Sequence, residues 1–149
     1  MDRLLFGDFK RVNREKREVE GYFFVNEACG DGWTIKRQAI ADAIDQYMQR
    51  GNLREMHTSS AVGKVKEIKW VGNKAYLKAK IVDDQAWEKI KEGVYTGFSV
   101  GIKRTKAIGS VVLGCRMVEI SVVDIPADND ANIEVFRSIS NEDKSVLFE

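Results

Sequence analysis

The amino-acid sequence predicts an α+β fold that is mostly β, with an antiparallel β-barrel or sandwich core decorated by two or three helices. Apolar and polar residues alternate in several segments after residue 61, which is typical of half-buried strands, whereas few segments carry helical spacing. The 149 residues, 44% of them hydrophobic, are enough for one domain with its own core. We expect this domain to cover residues 1–137 and a polar tail to cover residues 138–149.

The N-terminal part of the chain contains two apolar segments. The first, at residues 4–6, precedes a basic run over residues 10–17, which we interpret as a solvated loop or strand end rather than a phosphate-binding patch. The second, over residues 18–25, contains three consecutive aromatic residues and is a clear strand candidate. A glycine-rich turn follows at residues 30–32.

The longest predicted helix begins after Thr34, whose side chain can act as an N-cap, and runs to about Arg50. Gly51 supplies the stop signal. The apolar residues of this segment recur at helical spacing: Ile35, Ala39, Ile40, Ala43, Ile44, Tyr47 and Met48.

A hairpin is predicted next. Residues 67–70 and 74–82 form its strands, and residues 71–73 form its turn. Its buried face consists of Ala75, Leu77, Ala79 and Ile81.

A short helix follows over residues 85–92, with Asp83 or Asp84 as its N-cap and Gly93 at its end. Trp87 and Ile90 point inward in this interpretation. A strand that contains Ser99 comes next. The final long strand runs from about residue 110 to residue 123 and is stopped by the only proline, at position 126.

Composition excludes several classes of function. The formal net charge of +1 gives no general attraction to nucleic acid or to an anionic membrane. The sequence has no apolar stretch of about 18 residues and no signal-peptide pattern. We therefore expect a soluble protein that stays where it is made and binds neither nucleic acid nor membrane.

The two cysteines, Cys29 and Cys115, are too few for a disulfide scaffold and predict a reducing compartment. Together with His57 and a carboxylate such as Glu119 they could form a mixed zinc site. The four positions are scattered and lack a closely spaced ligand pair, so we expect no metal or other cofactor.

Ser99 lies in the most informative segment, residues 96–102. In an extended strand, Gly97, Ser99 and Gly101 share one face, so the serine stands between two residues without side chains. Glycines in a strand indicate close approach of a backbone or ligand, and this arrangement would present a nucleophile to a peptide. A plain edge strand with a glycine bulge is the alternative.

His57 is the only histidine and is therefore the natural candidate for a general base at neutral pH. An ordinary surface histidine is the alternative.

Glu119 lies among apolar residues in the final strand, where alternation places Met117, Glu119 and Ser121 on one face. A buried carboxylate needs a partner, and either His57 or an arginine would serve. A purely structural contact of Glu119 is equally compatible with the pattern.

These three residues form a coherent catalytic hypothesis. Ser99 would attack a carbonyl, His57 would take its proton, and Glu119 would orient the imidazole. Candidate oxyanion donors are backbone N–H groups near Gly101 or in a turn at residues 103–105, although Lys103 and Arg104 could equally be exposed charges. The rival nucleophiles are less suitable: Ser59 and Ser60 are ordinary loop serines, Ser121 suits a structural hydrogen bond, and Cys115 suits an inert buried thiol.

Several motifs occur in the order and approximate spacing of a known family. They are the histidine motif at residues 56–57, the serine motif at residues 97–101, and residues 119–123 followed by Pro126-Ala127. Shorter matches lie at residues 20–22, 30–32, 62–65 and 86–93. Over residues 19–136 the chain resembles the caudoviral prohead maturation serine proteases, which are similar in fold to the herpesvirus assemblin proteases.

The resemblance implies an endopeptidase with Ser99 as nucleophile, His57 as base and Glu119 as third member. It further implies cleavage of phage scaffold and major capsid protein, and of the chain itself, inside a procapsid in the bacterial host cytoplasm. A homo-oligomer is expected by the same resemblance. Two other functions stay open: a non-enzymatic phage assembly module that retains the protease fold, and a zinc-dependent hydrolase.

Overall fold

The computed structural model describes residues 3–24, 33–124 and 147–148. The turn predicted at residues 30–32, the strand end at residue 25, the stop at Pro126 and most of the polar tail lie outside these residues. The strands are β1 (Arg3–Asn13), β2 (Glu18–Phe24), β3 (Thr34–Ile35), β4 (Asn52–Glu55), β5 (Ala61–Val71), β6 (Lys74–Ile81), β7 (Gly97–Ile108), β8 (Val111–Val123) and β9 (Leu147–Phe148). The helices are α1 (Arg37–Met48) and α2 (Asp84–Lys91).

Seven strands form a closed barrel in the order β1, β2, β6, β5, β4, β8, β7 and back to β1. Strand β1 closes the ring because residues 3–8 pair with β7 while residues 9–13 pair with β2. Closure leaves these strands without long open edges. The prediction of a mostly β fold is confirmed, and its pairings are antiparallel except for β4–β8, β3–β8 and β1–β9.

The barrel core is formed by every second side chain along the strands, and the clearest example is β6 of the β5–β6 hairpin. The four residues predicted to form its buried face, Ala75, Leu77, Ala79 and Ile81, are all fully buried. Helix α1 covers β8 with its apolar side, where Ala39, Ile40, Ala43 and Ile44 join the same core.

Within the described residues, neither helix is long and apolar enough to cross a membrane.

The start of α1 differs from the prediction. The helix begins at Arg37, its N-cap Lys36 makes no side-chain capping bond, and Thr34 lies in β3 instead. Thr34 pairs in parallel with Val111, and its N–H donates to the carbonyl of Ser110 at 2.9 Å. This long-range pairing overrides the local capping signal. The predicted stop at Gly51 is confirmed, because this residue has φ +66° and donates to the Tyr47 carbonyl.

Helix α2 follows the prediction closely. Asp83 is the N-cap, and its carboxylate accepts a hydrogen bond from the Ala86 N–H at 2.9 Å. Trp87 and Ile90 are buried as expected. Gly93 ends the helix with φ +75°.

The turn predicted at residues 103–105 is wrong. Strand β7 continues to Ile108, and Lys103 and Arg104 pair with Arg116 and Cys115 of β8. The chain turns at Gly109, which has φ +59°. Polar side chains at residues 103–106 are compatible with a strand because this end of the β7–β8 hairpin is exposed.

Gly7 provides a test of the barrel closure. A Cβ atom at Gly7 would overlap the carbonyl oxygen of Tyr22, whereas a Cβ at Gly72 would meet nothing within 4 Å. We expect Gly7→Ala to lower the free energy of unfolding by about 3 kcal/mol, because backbone must shift to admit the methyl group. Gly72→Ala should cost about 1 kcal/mol, from its φ of +64° alone. Urea denaturation measures both, and equal stability of Gly7→Ala and the parent chain would contradict this closure.

Candidate active site

Strand β8 brings the predicted residues together because it lies between β7 and β4. On one side Ser121 pairs with Ser99, and on the other side it pairs with Arg54. Immediately after β4 the chain turns and presents His57. Residues distant in the sequence therefore meet at the same level of the barrel.

The three candidate side chains form one line of hydrogen bonds. His57 Nε2 lies 2.7 Å from Ser99 Oγ, and His57 Nδ1 lies 3.2 Å from Glu119 Oε1. With its proton on Nδ1, the ring donates to Glu119 and accepts the hydroxyl proton of Ser99. The geometry can thus support transfer of a proton from Ser99 to His57.

Ser121 connects two members of this line. Its hydroxyl donates to Glu119 Oε1 at 2.7 Å and accepts from the backbone N–H of His57 at 3.1 Å. The residue is fully buried, so these bonds are shielded from water. Alternation placed Ser121 on the Glu119 face, but only the fold shows that it also holds the His57 backbone.

The loop that carries His57 has an uncommon backbone conformation. Met56 and His57 have φ of 51° and 55°, which costs a non-glycine residue about 1–2 kcal/mol. Their N–H groups bond to the Val122 carbonyl at 2.9 Å and to Ser121 Oγ at 3.1 Å. These bonds from β8 hold the loop in place.

A second attachment links the His57 loop to the start of the serine strand. The hydroxyl of Tyr95 donates to Glu55 Oε1 at 2.9 Å, and Lys89 Nζ lies 3.9 Å from the same oxygen. Burial, followed by the bond to Glu55, raises the pKa of Tyr95 to about 12, so the phenol stays a proton donor. No local sequence pattern indicates this contact, because the residues lie on separate elements.

A β-bulge in β8 precedes Glu119. Gly101 pairs with Glu119 but Ile102 pairs with Met117, so Val118 is an extra residue. Val118 is 47% exposed, whereas Met117 and Ile120 are buried in the core. The prediction that Met117 shares the face of Glu119 is wrong, because the bulge shifts the alternation between them.

Glu119 has the partners that its burial requires. The residue is only 8% exposed. Besides the contacts of Oε1, its Oε2 lies 4.0 Å from Nη1 of Arg54. Both partner types that the sequence predicted, His57 and an arginine, are therefore present.

The glycines beside Ser99 make room for neighbouring strands. Strand β7 is central, with Gly97 between Asp8 and Val123, so the alternative of an edge strand is wrong. A Cβ at Gly97 would lie 2.5 Å from the carbonyl oxygen of Gly7. The close backbone approach predicted at Gly97 therefore comes from β1.

The other residues proposed for the substrate and oxyanion region lie along the same strand. Gly101 pairs with Leu4 and Glu119, again between two strands. Lys103 and Arg104 are exposed, and the Arg104 guanidinium lies 4.3 Å from the ring of Trp33.

Ser99 itself has no solvent exposure, whereas 20% of the His57 side chain is exposed. A peptide carbonyl can reach Ser99 Oγ only when the groups that cover it move. The site as described is therefore closed.

The rival residues are placed differently. Ser59 and Ser60 are exposed in the loop after His57. Cys115 Sγ contacts the carbonyl oxygen of Ala39 at 3.6 Å, and burial raises the pKa of this thiol to about 11. Both observations agree with the predicted roles.

The structure does not bring the proposed zinc ligands together. Cys29 lies outside the described residues, Cys115 faces α1, and both ring nitrogens of His57 already contact Ser99 and Glu119. Among residues 3–24, 33–124 and 147–148, no three His, Cys, Asp or Glu side chains form a group that could hold a metal ion.

Comparison with known proteins gives a likeness at the level of structure. No protein-family model and no curated protein matches the sequence. The chain is similar in fold to the bacteriophage T4 capsid assembly protease, gp21, with a TM-score of 0.53 and 14% sequence identity. The similarity covers 81% of this chain and 97% of that chain. At this identity the likeness shows a shared fold.

Ser121→Ala tests the bridge between Glu119 and His57. The change leaves the His57 N–H without its acceptor and removes a donor from a buried carboxylate, so we expect a loss of about 2 kcal/mol in the free energy of unfolding. Chemical denaturation measures this loss. Ser59→Ala, at an exposed loop position, is the matched control and should change stability by less than about 0.5 kcal/mol. Equal stabilities of the two variants would contradict the bridge.

Cys115 should react slowly with alkylating agents. A pKa of about 11 leaves roughly one thiol in ten thousand ionised at pH 7, and the thiolate is the reactive form. In a Cys29→Ser background, the iodoacetamide rate at Cys115 should be at least about a hundredfold below that of an unhindered cysteine peptide. Mass spectrometry of the alkylated peptide gives this rate, and a peptide-like rate would contradict the burial of the thiol.

Proposed function

We propose that the chain is a serine endopeptidase that acts in phage capsid maturation. One observation carries the proposal: Glu119, His57 and Ser99 form a line of hydrogen bonds with separations of 3.2 and 2.7 Å. The same constellation of nucleophile, base and orienting carboxylate recurs in hydrolases of unrelated folds. The fold shared with a capsid assembly protease supports the choice of peptide substrates and of a viral assembly role.

In the first half-reaction Ser99 Oγ forms a bond to the carbonyl carbon, and the carbonyl π electrons move to its oxygen. The hydroxyl proton passes to His57 Nε2 over the observed 2.7 Å contact. Glu119 stabilises the resulting imidazolium through Nδ1–H. When the tetrahedral intermediate collapses, the C–N bond breaks and the Nε2 proton goes to the leaving amine.

The second half-reaction releases the acyl group. Water gives a proton to His57 Nε2 and attacks the ester carbon, after which the proton returns to Ser99 Oγ as the C–O bond breaks. Ser121 and Arg54 contact Glu119 without touching the reacting atoms. They act as positioning residues for the carboxylate.

The proposed substrates are segments of phage scaffold and major capsid protein, and of the chain itself, inside the procapsid. The proposed active form is a homo-oligomer. The closed state of Ser99 supports activation that is coupled to assembly, because a buried nucleophile does not attack peptides at random in the host cytoplasm.

The burial of Ser99 also favours a second candidate function, a non-enzymatic assembly module that retains the protease fold. Such a module would keep the hydrogen-bonded line as a structural feature. The two functions differ in whether peptide bonds are cleaved under assembly conditions.

Coexpression with the cognate scaffold and major capsid precursors separates these functions. We expect cleavage with the parent chain and none detectable with Ser99→Ala or His57→Ala, since losing either group costs about a millionfold in turnover in a serine protease. Mass spectrometry of the assembled particles measures cleavage. Ser59→Ala is the control and should cleave normally.

Two outcomes would contradict the proposal. Unchanged cleavage with folded Ser99→Ala would exclude Ser99 as the nucleophile. Absence of cleavage by the parent chain in assembled particles would favour the non-enzymatic module.

A further inference from the structure

A cleft of about 250 Å³ lies at the C-terminal end of α1, where the helix meets β8. We call it the arginine cleft. Its polar lining residues are Gln46, Gln49, Arg50, Asn52, Arg54, Arg116 and Glu119. Neither Ser99 nor His57 is among the lining residues, so the cleft is separate from the reacting atoms.

The three arginines come from different parts of the fold. Arg50 follows α1, Arg54 lies on β4 and Arg116 lies on β8. Among the lining residues that the structure describes, Glu119 is the only carboxylate, which leaves an excess of two positive charges. Within the described part of the chain, Arg50 and Arg116 form no ion pair, and Arg54 stands 4.0 Å from Glu119 Oε2.

The carboxylate of Glu119 separates the cleft from the hydrogen-bonded line. Its Oε1 contacts His57 and Ser121, while its Oε2 faces Arg54. Among the described residues, Glu119 forms an ion pair with neither Arg50 nor Arg116. Their guanidinium groups remain available to an anion from outside.

We propose that the arginine cleft binds the carboxylate groups of an acidic peptide segment. A guanidinium group is planar and can bind a carboxylate through two parallel N–H donors. The amides of Gln46, Gln49 and Asn52 add donors and acceptors of the kind that pair with a peptide backbone. The C-terminal end of a helix disfavours anions, but its partial charge is smaller than that of one guanidinium group.

The size of the cleft favours a peptide over a nucleic acid. A volume of about 250 Å³ admits one or two side chains. Binding of a nucleic acid uses a long basic groove that follows the phosphate backbone, often with aromatic stacking platforms. The arginine cleft is short. Within the described part of the chain, its one aromatic lining residue is Tyr47, whose hydroxyl donates to the carbonyl oxygen of Asn52.

The test uses the full chain with Ser99→Ala, so that binding is measured without hydrolysis. The probes are the blocked peptides acetyl-Gly-Glu-Ala-Glu-Gly-amide and its glutamine counterpart acetyl-Gly-Gln-Ala-Gln-Gly-amide. Titration followed by ¹⁵N–¹H NMR gives both the dissociation constant and the location of binding. We expect the acidic peptide to shift the amides of residues 49–54 and 116–119 in a saturable manner. The glutamine peptide should not do so.

Adding Arg50→Gln and Arg116→Gln to the Ser99→Ala chain should raise the dissociation constant of the acidic peptide at least about tenfold, because two charge-assisted contacts are lost. The control pair Arg14→Gln and Lys66→Gln removes the same charge from exposed positions outside the cleft, and should change affinity by less than about twofold. All four positions are exposed, so these variants should fold.

Four results would overturn the proposal. The first is an equal loss of affinity in both variant pairs, which indicates only general charge attraction. The second is equal binding of the glutamine peptide, and the third is a set of shifts confined to other residues. The fourth is tighter binding of an oligonucleotide than of the acidic peptide at these amides. Since the assay needs no hydrolysis, its outcome is independent of the proposed peptidase activity.

Discussion

The position of β8 between β4 and β7 brings Ser99, His57 and Glu119 together in the candidate active site. One face of this strand carries Glu119 and Ser121, one neighbour carries Ser99, and the other neighbour leads directly to His57. A slip of one residue in either pairing would turn the side chains to the opposite face of the sheet. Register in the barrel is therefore the physical requirement for the hydrogen-bonded line.

Two local deviations adapt this regular frame to the site. The extra residue at Val118 changes which face of β8 the following residues occupy, and thereby directs Glu119 to the imidazole. The left-handed conformation at Met56 and His57 turns the chain sharply after β4. Its cost of about 1–2 kcal/mol per residue is comparable to the net contribution of the two hydrogen bonds that the N–H groups of Met56 and His57 donate to β8. Strain that is compensated by surrounding contacts is typical of functional sites.

The features of the site and of the fold that could be predicted are those with a local signal in the sequence. Ser99, His57 and Glu119 could be selected from the sequence because a single histidine, two spaced glycines and a carboxylate among apolar residues are local signals. The order of these motifs, which resembles that of a known protease family, was needed to choose a catalytic role over a structural one. Helix α2 and strand β6 were predictable for the same reason, since capping and alternation are local. The position of Thr34 in β3 and the extra residue at Val118 depend on pairings with β8 and β7, which no local pattern contains.

The most direct test of the central claim is NMR observation of the imidazole of His57, the only histidine in the chain. With ¹⁵N-labelled histidine, the Nδ1 proton should give a resonance well downfield of the backbone amides, because it is donated to Glu119 and held from exchange. The signal should disappear in Glu119→Gln, and the Nε2 resonance should shift in Ser99→Ala as its hydrogen bond is lost. An imidazole without a downfield Nδ1 proton, and unaffected by either substitution, would contradict the hydrogen-bonded line on which the account depends.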